Sequence, residues 1–339
     1  MKYYFNIIVF LLLSTISRGQ SFIFNQFFQP SIRINSTYSH DFNFLNKDRL
    51  HQGQADINCI IPIKSKLKLK VDWKKLLTLR LKKTAKLKAY QLFWNFRPKL
   101  MYLDLAYKDT TALHPFKQKK HFTYGFTTGI SGVHLIAKAM RKPKLLFYSI
   151  NIGLQEDLQS IQATPIPSVT AMIGFAHIKN FNFYWYYGLF FSYNNGQIIP
   201  APFFGLQAKL SKGIWVNITL PVQIRFSFKA SSTLKIDLTA GLSNFSTAFG
   251  HRANHQTIER YVFGNFRIRS SITANIKLSS QAILYLEAGC YPYQFPSFRW
   301  NSPPFPSPTL SPSVYGNISL YYTFKKSLLG STIDGIILF

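Results

Sequence analysis

Residue types that commonly carry out acid–base or metal chemistry are few in this sequence, and their spacing does not favour a site. His40 and Asp41 are adjacent, but neighbours along a β-strand point to opposite faces and cooperate poorly. His251 and His255 lie in a polar segment without a recognised metal-ligand spacing around them. The sequence has no Gly-x-Ser-x-Gly nucleophile motif and no glycine-rich phosphate loop. We therefore expect no catalytic, cofactor-binding or metal-binding residues, and a protein that is not an enzyme.

The charged residues that do form a pattern are basic. The chain has 40 Lys and Arg against 12 Asp and Glu, a net charge of +28. Many of the basic residues alternate with apolar ones, which would place them along one face of a strand. The members of this set are Arg33, Lys66, Lys68, Lys70, Arg80, Lys82, Lys209, Arg225, Lys229, Lys235 and Lys277. Rings of Lys and Arg bias a pore toward anions, but the same charges also suit a plugged or narrow interior, and both readings stay open.

The elements that would position these charges are predicted from alternation. From Val216 to Phe228, and again from Leu234 to Leu242, every second residue is apolar. A period of two is typical of β-strands with one apolar and one polar face. The segment 64–88 resembles a basic amphipathic helix or a polybasic membrane-binding patch in composition, but its alternation favours two strands. If the apolar face meets lipid, its lysines point into the lumen, because a charge on the lipid face costs about 2–4 kcal/mol near the midplane.

The first 19 residues predict export. Lys2 precedes an apolar run at residues 7–13, and Ser17-Arg18-Gly19 has the small-x-small pattern of a cleavage site before Gln20. We therefore expect a signal peptide over residues 1–19 and one domain over residues 20–339. Export also argues against nucleic acid as the partner of the basic residues. Their other expected locations are a lumen or the rims that meet anionic lipid head groups.

The composition predicts the fold class. The chain is 47% hydrophobic and 17% aromatic but only 15% charged, and beyond residue 19 it lacks an apolar run long enough for a transmembrane helix. Alternating apolar residues without a helical span favour an all-β protein, a single antiparallel transmembrane β-barrel of about 12 strands, with a range of 10–14. A jelly-roll protein that needs no detergent is the alternative fold.

Several local features carry separate expectations. The aromatic run 183–187 predicts an interfacial girdle, with a sandwich core as the alternative. Arg97-Pro98 predicts a turn between two strands, and Pro221 marks either a break in one long strand or the junction of two. The proline-rich segment 291–313 predicts a long loop. Cys59 and Cys290 lack a spacing motif and are expected to be two separate thiols on strands.

The long alternating strand at 215–228 with its Leu220-Pro221 step, the polar turn after it and the strand at 234–242 resemble an outer-membrane family of Bacteroidetes, the domain-of-unknown-function family 6268. A final strand beginning Tyr315-Gly316-Asn317 is also similar to that family. The resemblance covers residues 200–325. It implies an outer-membrane β-barrel and brings no activity, cofactor or catalytic residue.

Three functions remain open at this stage. The first is a passive or anion-biased channel with a basic lumen, which would take small anions. The second is a non-conducting structural or docking barrel of a surface or secretion assembly, which would bind other envelope proteins. The third is an outer-membrane enzyme, which would need an acid–histidine pair. In each case we expect the outer membrane of a Gram-negative bacterium, contact with its lipid, and no cofactor.

Overall fold

The fold is described from a computed structural model of the chain. It describes residues 30–41, 49–71, 85–106, 120–136, 144–157, 166–180, 182–194, 197–254, 257–299 and 310–324. The expected signal peptide, the tail after residue 324, Arg80 and Lys82 lie outside these residues. The part of the chain that the structure describes contains no helix long and apolar enough to cross a membrane.

Fourteen β-strands follow one another along the described chain. They are β1 (Ser31–Asp41), β2 (Arg49–Val71), β3 (Ala85–Ala106), β4 (Lys120–Ile136), β5 (Lys144–Asp157), β6 (Ile166–Asn180), β7 (Phe183–Asn194), β8 (Gln197–Ser211), β9 (Ile214–Leu220), β10 (Gln223–Lys229), β11 (Leu234–Asn254), β12 (Thr257–Lys277), β13 (Ala282–Arg299) and β14 (Ser313–Thr323).

Each strand pairs antiparallel with its neighbours in sequence, and β1 pairs with β14, so the sheet closes into a barrel. The predicted antiparallel barrel is confirmed, with fourteen strands at the upper limit of the expected range rather than about twelve. Part of the difference lies at Pro221, where the sequence allowed one strand or two. The structure has two, β9 and β10, which meet in a turn at Pro221 and Val222, and the Leu220–Pro221 peptide bond is cis.

The pairing register separates an inner from an outer face. On β14, Ser313, Tyr315 and Ser319 are buried inside the barrel, whereas Ile318 and Leu320 are exposed outside it. Residues paired directly across an antiparallel ladder share a face, so the assignment extends from strand to strand around the barrel. The outer face is predominantly apolar. Its exposed large side chains include Ile34, Ile57, Leu100, Ile130, Ile150, Ile173, Leu189, Phe226, Leu238, Ile272 and Leu286.

The aromatic run on β7 divides between the two faces. Trp185 and Tyr187 lie outside, where Trp185 stacks on the His177 ring at 4.2 Å between centroids. Tyr184 and Tyr186 point inward, and Tyr184 is almost completely buried. Two of the five residues of the predicted girdle therefore belong to the interior, because consecutive residues of a strand alternate in direction.

A β-bulge on β2 reverses the predicted direction of the lysine row. The register shifts between Pro62 and Lys64, after which Lys66 pairs with Tyr90. The next residue of β3, Gln91, is buried inside the barrel, so Tyr90 and Lys66 belong to the outer face. The inward direction predicted for Lys66 is therefore corrected. An extra residue in a ladder moves every later side chain to the other face.

Two proline-containing segments also differ from expectation. Arg97-Pro98 is not a turn, because β3 continues through it from Ala85 to Ala106. The proline-rich segment is not entirely loop, because β13 extends to Arg299 and includes Pro292 and Pro296. At Pro98 the ladder between β2 and β3 is interrupted. Beyond Tyr291, β13 pairs on one side only, with β12, among the described residues. Proline is tolerated where its missing N–H has no partner.

The barrel has two distinct ends. We call the end where β1 begins and β14 finishes the terminal end, and the opposite one the loop end. A cluster of buried apolar residues fills part of the interior near the terminal end, between β3 and β7. Its members are Ala89, Val133, Leu135, Leu145, Ala176, Ile178 and Tyr184. Apolar side chains therefore fill the interior next to β3–β7 near the terminal end.

Candidate functional site

The interior of the barrel is divided by the half of β11 nearest the loop end. In its other half, nearest the terminal end, β11 pairs with β10 from Lys235 to Gly241. Beyond Gly241 this support ends, and the strand lies against β4 and β5 across the barrel. The hydroxyl oxygens of Thr247 and Thr123 are 2.5 Å apart at this crossing, and both side chains are fully buried. The strand thus acts as a partition within the barrel.

Two cavities lie in the divided interior. The larger has a volume of about 930 Å³ and is lined mainly by β3 to β11. The smaller has a volume of about 410 Å³ and lies among β1, β2 and β10 to β14. Both volumes fall within the range of about 300–1,000 Å³ that is usual for small-ligand sites. The Arg97 and Arg225 side chains line both cavities and stand between them.

An aromatic wall forms one side of the larger cavity. The rings of Phe147, Tyr186 and Phe203 lie within 6.4 Å of one another, centroid to centroid. Gly205 makes this arrangement possible, because the Tyr186 ring occupies the space that a Cβ at residue 205 would take. The Tyr186 hydroxyl then reaches Thr219 Oγ1 at 2.5 Å. This wall offers apolar contact to a ligand.

The ionisable residues that line the larger cavity are basic. Arg97, Lys99 and Arg225 all contribute to its surface, and its described lining contains no aspartate or glutamate. Arg97 is paired with Asp56 in the adjoining smaller cavity, through contacts of 3.0 and 2.9 Å. Among the described residues, no carboxylate lies within 4 Å of Lys99 or Arg225, and Arg225 Nε has no hydrogen-bond partner. The larger cavity therefore carries uncompensated positive charge.

The smaller cavity differs from the larger one in that carboxylates as well as basic residues line it. Glu287 accepts a hydrogen bond of 2.6 Å from the Tyr315 hydroxyl and lies 3.8 Å from Arg269. The Arg267 guanidinium lies 4.1 Å from the centroid of the Tyr291 ring. These contacts link β12, β13 and β14 to one another. The lining has five arginines (Arg33, Arg97, Arg225, Arg267 and Arg269) against two carboxylates (Asp56 and Glu287), so the smaller cavity also carries net positive charge.

The predicted lumen residues fall into four groups. Arg33, Arg225 and Lys235 face the interior, where Lys235 pairs with Asp237 at 3.1 Å. Lys209, Lys229 and Lys277 are in phase with the inner face but exposed at the rim of the terminal end. Lys66 lies on the outer face of the barrel. The side chains of Lys68 and Lys70, and all atoms of Arg80 and Lys82, do not belong to the part of the chain that the structure describes.

Sequence reasoning missed two of the most relevant side chains. Arg97 was assigned to a turn with Pro98 and Lys99 to the start of the next strand, although the alternation through Phe93 and Met101 passes over Pro98 without a break. The uninterrupted phase was the signal that could have placed them on the inner face. Arg267 and Arg269 alternate with apolar residues in the same way.

His40 and Asp41, which are adjacent in the sequence, lie on opposite faces of β1. His40 lies on the outer face, where its Nδ1 is 2.7 Å from that of His51. Asp41 points inward and accepts hydrogen bonds from the Leu50 backbone and the Gln294 side chain. The described residues contain no group of three His, Cys, Asp or Glu side chains arranged to hold a metal. The side chains of His251 and His255 lie outside the described part.

Both cysteines are free, as expected. Cys59 on β2 and Cys290 on β13 are each partly buried, and neither forms a disulfide.

Comparison with family models and with curated proteins gives no match. Among solved structures, the transport unit of the autotransporter AIDA-I from Escherichia coli shares 9% identity, with a TM-score of 0.36 over 92% of this chain and 97% of that one. The beta domain of the Bordetella autotransporter BrkA also shares 9%, with a TM-score of 0.29 over 87% and 99%. A mutant of the TodX monoaromatic hydrocarbon channel shares 6%, with a TM-score of 0.37 over 88% and 90%. Likenesses this weak carry no conclusion about function.

Proposed function

We propose that this chain is an integral β-barrel of the outer membrane of a Gram-negative bacterium. The apolar outer face supports the proposal, because a closed barrel satisfies its backbone hydrogen bonds and can present apolar side chains to lipid. The expected export signal at residues 1–19 agrees with this location. The resemblance to family 6268 stays a prediction, as does contact with other envelope proteins.

We propose further that the barrel provides an anion-biased path for small solutes. The observation that carries this proposal is the uncompensated positive charge of Lys99 and Arg225 in the larger cavity. Basic groups inside a low-dielectric wall attract anions and repel cations. The apolar cluster near the terminal end and the β11 partition narrow the path, so the expected conductance is small.

The test is single-channel recording of the refolded protein in a planar bilayer, with the reversal potential measured under a salt gradient. The wild-type protein should favour chloride over potassium. Arg225→Gln and Lys99→Gln should each shift the reversal potential toward zero, because each removes one positive charge from the cavity. Lys66→Gln is the matched control, since it removes a lysine from the outer face and should leave selectivity unchanged.

Cation selectivity, or an equal effect of Lys66→Gln and Arg225→Gln, would contradict the anion path. A correctly folded protein that never conducts would favour the second candidate function, a docking barrel. The β11 partition is the observation that favours that candidate, because it crosses the interior and makes a fully buried contact with β4.

A further inference from the structure

The barrel wall is incomplete beside the larger cavity. β9 and β10 have 7 residues each, whereas a strand needs about 9–11 residues to span a bilayer. Residues 197–203 of β8 pair only with β7, and residues 243–254 of β11 pair only with β12. Between these two edges, above the β9–β10 hairpin, the described residues leave an opening that we call the wall gap.

The tip of the β9–β10 hairpin has the composition of a buried or lipid-facing turn. Leu220 and Val222 flank Pro221, and they are 50% and 47% exposed. The turns at the terminal end are polar by comparison, as in Ser231-Ser232-Thr233. An exposed apolar tip is expected inside the hydrocarbon layer, where short strands would place it. The edge of the wall gap that the hairpin tip forms thus lies within the depth of the membrane.

The two sides of the wall gap are adapted to an unpaired edge. Pro200 and Pro202 pair with β7 at positions where a backbone N–H would point away from β7, toward the open edge of β8. Because proline has no N–H, these two positions leave no unpaired donor on that edge. On β11 the outer-phase residues change from apolar Leu238 to polar Asn244 and Ser246. Irregular backbone is tolerated at membrane depth only where it is buried or lines a polar cavity. The gap edge is therefore suited to a polar group rather than to lipid tails alone.

The larger cavity reaches the wall gap on all three sides. Its lining includes Pro202 from β8, Val222 from the hairpin tip, and Asn244 and Ser246 from β11. Pro202, Asn244 and Ser246 are in phase with the outer face of their strands, and Val222 lies in the turn at the hairpin tip. Asn244 and Ser246 reach the cavity because β11 crosses the interior here, whereas Pro202 and Val222 reach it from the wall, at the edges of the wall gap. The cavity and the bilayer are thus continuous through the gap.

We propose that the wall gap is a lateral entrance through which a single-chain amphiphile with an anionic head group enters the larger cavity from the membrane. Its apolar chain lies along the aromatic wall of Phe147, Tyr186 and Phe203 and extends through the gap. Its head group is held by Lys99 and Arg225, since a guanidinium suits a carboxylate or phosphate and both cations lack a carboxylate partner. The inference rests on the proposed function only for the membrane location of the barrel.

A photo-crosslinking experiment tests the entrance. The protein is reconstituted in neutral lipid vesicles with hexadecanoic acid that carries a diazirine on its chain, and labelled residues are mapped by mass spectrometry. The methyl ester of the same probe is the neutral comparison. We expect the acid, but not the ester, to label residues 201–203 and 221–222 above the labelling of the rest of the outer face. Unlabelled hexadecanoate should compete, whereas acetate and an anionic two-chain phospholipid should not.

Two variants separate the head-group site from the gap. Arg225→Gln should reduce labelling by the acid about tenfold, in line with the loss of one charge-assisted hydrogen bond. Asn244→Trp should reduce it by filling the gap, while Ser270→Trp on the outer face of β12 should have no effect. A heat-dependent change in gel migration confirms that each variant is folded.

The outcomes distinguish this inference from the proposed channel. Equal labelling by acid and ester, or labelling that Arg225→Gln and Asn244→Trp both leave unchanged, overturns the lateral entrance even if the protein conducts anions. Competition by the two-chain phospholipid alone overturns the single-chain ligand. Selective labelling of a protein that does not conduct supports the entrance and overturns only the channel.

Discussion

At the scale of single residues, the interior is less uniformly basic than the net charge of the chain predicts. Asp56, Asp237 and Glu287 each face a basic side chain on the same or a neighbouring strand. A charge in a low-dielectric interior is costly unless it is paired. The positive charge that remains in the larger cavity therefore comes from the few cations that no carboxylate meets.

Asp56→Asn tests this balance. Asp56 is 5% exposed and accepts hydrogen bonds from Arg97, Gln54 and Asn35. The substitution should lower the free energy of unfolding by about 1–2 kcal/mol. This is less than a fully buried ion pair would contribute, because Arg97 is half exposed and water screens its charge. It should also increase the preference for anions, because Arg97 loses its counter-charge. Urea titration of the folded protein in detergent and the reversal potential measure the two effects.

The matched control for Asp56→Asn is Asp104→Asn. Asp104 lies in phase with the outer face and accepts a hydrogen bond of 3.2 Å from the Tyr102 hydroxyl. Its loss should change stability by a few tenths of a kcal/mol and leave selectivity unchanged. Equal effects of the two variants would show that Asp56 and Arg97 do not act as an interior pair.

At the scale of elements, strand length and bulges decide what the residue types can do. The bulge after Pro62 places Lys66 on the outer face, although the apolar–polar alternation of the sequence continues through it. The short β9–β10 hairpin leaves the wall gap between β8 and β11. Neither feature changes the residue pattern within a strand. Each changes the partner that a strand meets.

The β8–β9 turn gives a prediction at this scale. Gly213 has a φ of +86°, a left-handed conformation that costs an L-residue about 1–2 kcal/mol. Gly213→Ala should therefore lower the free energy of unfolding by about 1 kcal/mol. Gly316→Ala on β14 is the control, because its added Cβ meets nothing within 4 Å. Urea titration of both variants measures the difference, and equal stability would show that the turn relaxes without strain.

At the scale of the whole molecule, closure joins residues from the two ends of the chain. Arg33 Nη2 donates to Ser319 Oγ at 3.2 Å across 286 residues of sequence. Contacts of this separation form late and at a high cost in chain entropy. An even number of strands places the start of β1 and the end of β14 at one end of the barrel.

The lengths of the connections predict how the barrel is oriented in the outer membrane that we propose for it. Four of the six connections at the terminal end have two to four residues, whereas four of the seven at the loop end have at least seven. Short turns face the periplasm in outer-membrane barrels, and longer loops face outward. An epitope inserted at Ser232 should be detected only after cells are permeabilised. One inserted between β7 and β8 should be detected on intact cells, and the reverse pattern would contradict this orientation.

The sequence predicted most of the wall and part of the site. Alternation identified the strands from Val216 to Phe228 and from Leu234 to Leu242 and the inward direction of Arg225 and Lys235. It failed for Lys66 and for Arg97, where a bulge and a proline interrupt the ladder. Local pattern reports the two faces of a strand but not an insertion that exchanges them.

The sequence alone determined that the chain forms β-strands with one apolar and one polar face, because a period of two is a local property of each strand; closure of those strands into a barrel was a prediction that the pairing of β1 with β14 confirms. The tertiary structure alone decided the β11 partition, the pairing of Asp56 with Arg97 and the wall gap. These depend on the register and length of strands that meet across the closed sheet, and no single strand carries that information.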